Sequence, residues 1–311
     1  MLMRPILEIF LISSRKDLAL FRTRQRQNSM INYYQAIPDS DLTLSIDNII
    51  LDVSITNPSR LDLLNQMLNT SVAHGKGSMM TWQSFKPGTF RRQTLIQLDD
   101  DRKYWVGQGL NGKGTLEDRV RLDFNPNKVG NDLNFKIIRD FLVRNSRPNL
   151  CKIPRFDLAI DIPVAREKCF LVKDRRLYIE RRHGEEYTQY LGSKSSTVGR
   201  VKLYNKSLEA NLDDPLTRLE LTLSPGMAFN EINFPTVYCL GDGNVESHTV
   251  RITDTDRFII NSVLQGYGTL TDLGRKARTK IEGVLKENLR TVSINRESYE
   301  AILKQLNNYL K

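Results

Sequence analysis

Cysteine and histidine are both scarce, three of each in 311 residues. Cys151, Cys169 and Cys239 form no CxxC pair, which argues against a disulfide framework and a Cys/His zinc site. No stretch reaches the roughly 18 consecutive apolar residues of a spanning helix, so none is expected; with so little cysteine the chain reads as cytoplasmic, with no membrane among its partners. The apolar opening Met1–Ser14 is broken by Glu8 and followed by no small-residue cleavage site; it reads as a short amphipathic helix or tail rather than a signal peptide. Lys76 and Lys113, each between glycines, do not complete GxxxxGK[ST], so no nucleotide-driven motor is expected. Internal repeats and low-complexity segments are also lacking.

Charge is plentiful and unbalanced. Lys plus Arg number 46 against 36 acidic residues, a formal charge of +10, which favours a polyanionic partner, nucleic acid or an anionic membrane surface, without choosing between them. With 40% hydrophobic positions the chain has enough apolar mass for a real core. Residues 1–40 hold a basic run from Arg15 to Arg26, either a solvated helix face or an arm that touches DNA.

From 41 to 225 the dominant pattern is alternation of apolar and polar residues, the mark of half-buried strands. It runs through LTLSIDNIILDVSI, TLIQLD, YWVGQGL, RVRLDFN, RFDLAIDI, TQYLG, GRVKLYNK and TRLELTL. Helical spacing interrupts it at Ser59–Val72 and Asn131–Asn145. This order predicts an α+β fold: a mostly antiparallel β-sheet with helices packed on one face. From about Asp256 onward the pattern changes to successive amphipathic helices, so residues 226–311 form a mainly helical C-terminal region, with the GDGN turn at Gly241 near the boundary.

Within the strands an Arg-x-acid triplet recurs, as Arg121-Leu122-Asp123, Arg155-Phe156-Asp157 and Arg218-Leu219-Glu220. Residues two apart share a strand face, so each Arg and acid stand together while Leu122/Phe124, Phe156/Leu158 and Leu219/Leu221 turn to the core. Continuing the second register through Ala159 brings Asp161 to the same face, roughly 13 Å along from Asp157. Any one triplet is also what an ion-pair ladder on a wet sheet produces.

A fourth strand differs. In Arg200-Val201-Lys202-Leu203-Tyr204-Asn205-Lys206 the alternation groups Tyr204 with Arg200, Lys202 and Lys206. Neighbouring cations favour a phenolate nucleophile and would bind a phosphodiester. Carboxylates of the adjoining strands (Asp123, Asp157, Asp161 and Glu220, with Asp47 as a further member) are the hard oxygen donors that Mg²⁺ or Mn²⁺ takes.

VRLDFNPNK (120–128), RFDLAIDI (155–162), YLGSKSS (190–196), RVKLYNKSLE (200–209) and TRLEL (217–221), in that order, resemble the Rep_trans family of rolling-circle replication initiators from Gram-positive plasmids. The resemblance implies a site-specific nicking and closing enzyme with Tyr204 as nucleophile, assisted by Lys202 and Lys206. Lys202 departs from the family's Arg, keeping charge but losing bidentate geometry. Tyr190 reads as a packing residue before a glycine turn, with Tyr187 a more distant alternative nucleophile. The acidic positions would hold the metal, Asp157 and Glu220 ahead of Asp123 and Asp161, with Asp47 behind. No His-hydrophobic-His motif is present, so a histidine-rich metal site is not expected.

The implied chemistry joins the tyrosine to a 5′ end and leaves a 3′-OH primer. Implied partners are plasmid origin DNA with an extruded single-stranded nick site, a second copy of the chain in a homodimer, and a host helicase. Origin recognition falls to the 226–311 region, where Arg275, Lys276, Arg278 and Lys280 head a helix; Arg200 adds backbone contact. A conjugative relaxase, a non-catalytic DNA-binding regulator and an RNA-binding protein are the other readings.

Overall fold

The computed structural model describes residues 35–37, 41–74, 89–111, 115–147, 149–184, 186–193, 196, 198–240 and 252–311. The basic run Arg15–Arg26, the glycine-flanked Lys76 and Lys113 and the GDGN turn lie outside the described residues.

The strands that alternate in sequence assemble into one nine-stranded sheet. In chain order they are β2 (Thr43–Ser54), β3 (Phe90–Gln97), β4 (Lys103–Asn111), β5 (Thr115–Phe124), β6 (Lys152–Ile162), β8 (Tyr178–His183), β9 (Glu186–Leu191), β10 (Val201–Asn205) and β11 (Thr217–Leu223). Their order across the sheet is β3-β4-β5-β2-β6-β11-β10-β9-β8, every neighbouring pair antiparallel. The predicted α+β class is the observed one.

One face of this sheet is the core. Leu122 and Phe124, Phe156, Leu158, Ile160 and Ile162, Val201 and Leu203, and Leu219, Leu221 and Leu223 are all buried there. Helix α1 (Pro58–His74) brings Leu64 and Leu68 to it, and helix α3 (Leu133–Asn145) brings Phe135, Ile138 and Leu142. Both helices start where the sequence supplies a cap. Asn57 Oδ1 accepts from Ser59 N at 3.0 Å just before Pro58, and Asp132 Oδ1 accepts from Phe135 N at 2.8 Å. A short helix α2 (Pro126–Val129) lies between β5 and α3.

A smaller sheet has the order β1 (Gln35–Ala36), β13 (Leu289–Thr291), β12 (Val237–Leu240), β7 (Cys169–Leu171). With helices α5 (Asp254–Leu264) and α6 (Arg275–Asn288) it encloses a second cluster of Phe170, Leu240, Ile260, Ile281 and Leu285. Helix α7 (Arg296–Asn307) returns to the main core through Tyr299, Ile302 and Leu306. The three C-terminal helices match the amphipathic pattern, but β12 and β13 do not, because strands of three or four residues, such as the wholly buried Val237–Leu240, are too short to show a period. Among the described residues no helix is long and apolar enough to cross a membrane.

On the opposite face one glycine is decisive. A Cβ on Gly107, in mid-β4, would stand 2.3 Å from Trp105 Cη2 and 2.7 Å from Phe90 Cγ. The missing side chain is what lets these two rings fold across the strand as an edge-to-face pair, centroids 5.4 Å apart. Gly107→Ala is expected to cost about 1–3 kcal/mol as the rings are forced aside, read by urea denaturation; an unchanged midpoint would contradict this packing.

Candidate active site

Strand register assembles the charged face. Lys202 of β10 lies opposite Glu220 of β11, and Tyr204 opposite Arg218. On the other side of β11, Arg218 faces Asp161, Glu220 faces Ala159 and Thr222 faces Asp157. Strand β2 then contributes a bulge, since Ile46 pairs with Leu158 but Asn48 with the adjacent Asp157. The extra residue is Asp47, and the irregularity brings both Asp47 and Asn48 to the charged side. Asp47 accepts from Arg218 Nη1 at 2.9 Å, while Asn48 Nδ2 donates to Asp123 Oδ1 at 2.9 Å.

Tyr204 is 6% exposed, yet it lies on this face rather than in the apolar core. Its hydroxyl donates to Glu220 Oε1 at 2.6 Å. Lys202 Nζ stands 3.6 Å from the centre of the Tyr204 ring and 3.6 Å from Glu220 Oε2. Strand β10 ends one residue later, where the Asn205 side chain caps the short helix α4 (Lys206–Ala210) by accepting from Leu208 N. Lys206 therefore opens a helix rather than extending the strand, and its Nζ holds Glu209 Oε2 at 2.7 Å.

The expectation that flanking cations favour the phenolate meets a correction here. Burial pushes the Tyr204 phenol well above its ordinary value, the Glu220 charge and hydrogen bond push it further, Glu209 adds to this, and Arg218 pulls the other way. Lys202 and Lys206 are each beside a carboxylate, so their charge is spent locally. At rest the tyrosine keeps its proton and offers it to Glu220.

The acids divide into two kinds. Asp161 is fully engaged: Arg218 grips it through Nε at 2.6 Å and Nη2 at 2.7 Å. Asp47 shares that guanidinium and also accepts from Asn125 Nδ2 at 3.2 Å. The others are buried with less compensation. Burial raises Asp123, against the Asn48 hydrogen bond and the charges of Arg155 and Arg121. It raises Asp157 too, with the Asp47 and Asp123 charges adding to it, and Glu220, with Asp47 and Asp157 adding.

Asp157 Oδ1 is buried and has no hydrogen-bond partner. Such an orphaned oxygen among mutually repelling carboxylates suits a hard divalent cation in donor type and in charge. Among the described residues, however, no group of three or more His, Cys, Asp or Glu side chains is gathered closely enough to hold an ion as they stand.

The remaining sequence candidates lie elsewhere. Arg200 is half-buried with its guanidinium 5.4 Å from the Tyr190 ring centre, and Arg181 lies over the same ring at 5.7 Å. Tyr190 is indeed followed by a turn, with Gly192 at φ +88. Tyr187 lies under Arg166 and Arg182. Arg275, Lys276, Arg278 and Lys280 sit on α6, over the second core cluster and not on the large sheet. There Arg278 pairs with Glu282 and Lys280 with Asp256, while Arg275 and Lys276 are exposed. Sequence reasoning missed Asn48, Glu209 and the part played by Arg218. Asn48 and Glu209 carry no pattern of their own, being placed by a bulge and a helix start.

No family model matches the chain, and no curated protein matches it. Among solved structures, a rolling circle replication initiator protein from Geobacillus stearothermophilus is similar over 59% of this chain and 74% of that one. The identity is 16% and the TM-score 0.35, too slight a likeness to carry fold or chemistry across.

Proposed function

We propose that the protein is a DNA nicking and closing enzyme that initiates rolling-circle replication, with Tyr204 as nucleophile. The observation that carries this reading is the 2.6 Å hydrogen bond from the Tyr204 hydroxyl to Glu220, made on a sheet face lined with further buried carboxylates. A carboxylate whose proton affinity is raised by burial is a better base, and it already holds the proton that must leave.

The Tyr204 oxygen attacks the scissile phosphorus while Glu220 takes the hydroxyl proton. The bond from phosphorus to O3′ breaks, O3′ collects a proton as the 3′-OH, and the 5′ phosphate stays on the tyrosine. One phosphoester replaces another, so reversal reseals the strand. Arg218, whose charge favours the phenolate, and Lys202, 3.6 Å from the ring centre, are the cations on hand for the developing charge. Asp157, with Asp123 and Glu220 within reach of its charge, would hold Mg²⁺ or Mn²⁺ once these side chains draw together, and the ion would polarise a phosphate oxygen. Asp161 orients Arg218 instead of meeting the ion.

Duplex contact falls to α6, where Arg275 and Lys276 occupy the first turn. Cations there oppose the helix dipole, a cost of about 0.3–1 kcal/mol each that a DNA phosphate would offset. A second copy of the chain and a host helicase complete the proposed assembly. The resemblance serves conjugative transfer equally well; a target at a transfer origin in place of a replication origin would make the protein a relaxase.

The test is incubation with supercoiled plasmid carrying the encoding replicon, in Mg²⁺ or Mn²⁺, followed by trypsin. The nucleotide is expected on the peptide Leu203–Lys206, since trypsin cuts after Lys202 and Lys206. An adduct on any other tyrosine overturns the assignment.

The carboxylates supply an independent prediction. Asp123, Asp157 and Glu220 all bind protons more tightly folded than unfolded. Their contribution to stability is therefore full below the ordinary carboxylate range, about pH 4, and is lost as pH rises through their raised values. A divalent cation takes the protons' place, so Mn²⁺ is expected to raise the melting temperature at neutral pH and to leave it unchanged near pH 4. An equal effect at both would mean that the cation binds elsewhere.

A further inference from the structure

Beyond the acid cluster the same sheet face holds a cavity of about 500 Å³, lined among others by Phe90, Gln93, Trp105, Arg121, Asp123 and Arg155. Its volume falls in the range of small-molecule pockets, roughly 300–1,000 Å³. Three features give it a chemical character. The partly exposed Trp105 ring meets the buried Phe90 edge to face over Gly107, presenting aromatic surface where a sheet of this charge would otherwise carry polar side chains. Arg121 lies 5.5 Å from the Phe90 ring centre and is neutralised by Asp52, through Nε at 2.6 Å and Nη2 at 2.8 Å, so it forms a flat wall rather than a free charge. Arg155, by contrast, has a buried Nε with no hydrogen-bond partner.

Aromatic surface beside a guanidinium that keeps a free N–H is how proteins hold unpaired nucleic acid: a base stacks while its phosphate meets the cation. Position supports the same ligand. Asp123 belongs both to the cavity wall and to the acid cluster, and β5 lies four strands from β10, roughly 19 Å, a few nucleotides of extended strand.

We propose that this cavity is a pocket for one unpaired nucleobase of the strand on which Tyr204 acts, stacked on Trp105, which Phe90 backs, with its phosphate against Arg155. The proposal rests on the reading that a DNA strand crosses this face, and it adds a site that discriminates single-stranded from duplex DNA, because a paired base has no free face to offer.

The probe is fluorescein-labelled oligothymidylate, with a blunt duplex of equal length as comparison. Trp105→Leu is expected to weaken oligothymidylate binding about ten- to a hundredfold, as the loss of one stacked base implies, and to leave duplex binding unchanged. Arg155→Gln is expected to lower the salt slope of single-strand binding by about one. As a check that needs no variant, an oligonucleotide bearing 5-iodouracil is irradiated on the unaltered protein, and the crosslink is expected on the tryptic peptide beginning at Tyr104 or on Phe90. Unchanged oligothymidylate binding by Trp105→Leu, an equal loss on duplex, or crosslinks only to other segments would overturn the pocket. Cleavage by Tyr204→Phe separates the two ideas: lost cleavage together with intact Trp105→Leu binding removes the pocket and keeps the nucleophile. A crosslink at Trp105 alongside persistent Tyr204→Phe cleavage supports the pocket and removes the nucleophile.

Discussion

Tyr204→Phe is expected to abolish strand cleavage and the covalent adduct, by at least about a thousandfold, while origin DNA is still bound. Removing a nucleophile removes the reaction path, and losses of this kind in other covalent catalysts reach about a millionfold. The substitution deletes one oxygen from a ring that is 6% exposed and cushioned by Lys202 at 3.6 Å, so the fold keeps its packing. What changes is Glu220, which loses the proton donor at 2.6 Å and with it one of the two influences that oppose its burial. Cleavage of supercoiled plasmid and gel-shift binding, measured side by side, read the two effects separately. Parallel loss of both would mean that Tyr204 is a structural residue, and undiminished cleavage would move the nucleophile elsewhere.

The second large effect is a divergence of stability and activity at Asp157. Its Oδ1 is buried without a partner, burial raises its pKa, and the charges of Asp47 and Asp123 raise it further. Asp157→Asn is neutral and nearly isosteric, and its amide can donate to those neighbours. We expect the variant to gain about 0.5–2 kcal/mol at neutral pH without divalent cation, and to lose cleavage by a hundredfold or more through metal affinity. The gain should vanish below about pH 4, where the native carboxyl is itself protonated in both states. A variant that is less stable than the parent at neutral pH would show Asp157 to be a structural acid.

Much of this site is legible in the chain because a strand has a period of two. Arg218-Leu219-Glu220 and Lys202-Leu203-Tyr204 each declare which side chains stand together, and the buried Leu219 and Leu203 declare the opposite face. No periodicity says which strands are neighbours. The pairing of Arg218 with Asp161 depends on β11 lying between β10 and β6, an order in which strands remote in sequence become adjacent. That pairing sets Asp161 against the Arg218 guanidinium. The cavity was still less visible: Phe90 and Trp105 read in sequence as ordinary strand aromatics, and only the approach of both rings to Gly107 makes them one surface.

Local sequence was enough for the α+β class, the helical segments near 59–72 and 131–145, the two faces of β10 and β11, and the tyrosine between cations. These are local properties, set by periodicity and residue chemistry within a few positions. Only the assembled fold buries the tyrosine, sets Glu220 rather than a lysine against its hydroxyl, and leaves Asp157 Oδ1 without a partner. Burial and hydrogen-bond partnership belong to pairs of distant residues, and the energy of a charge depends on what the rest of the chain removes from water around it.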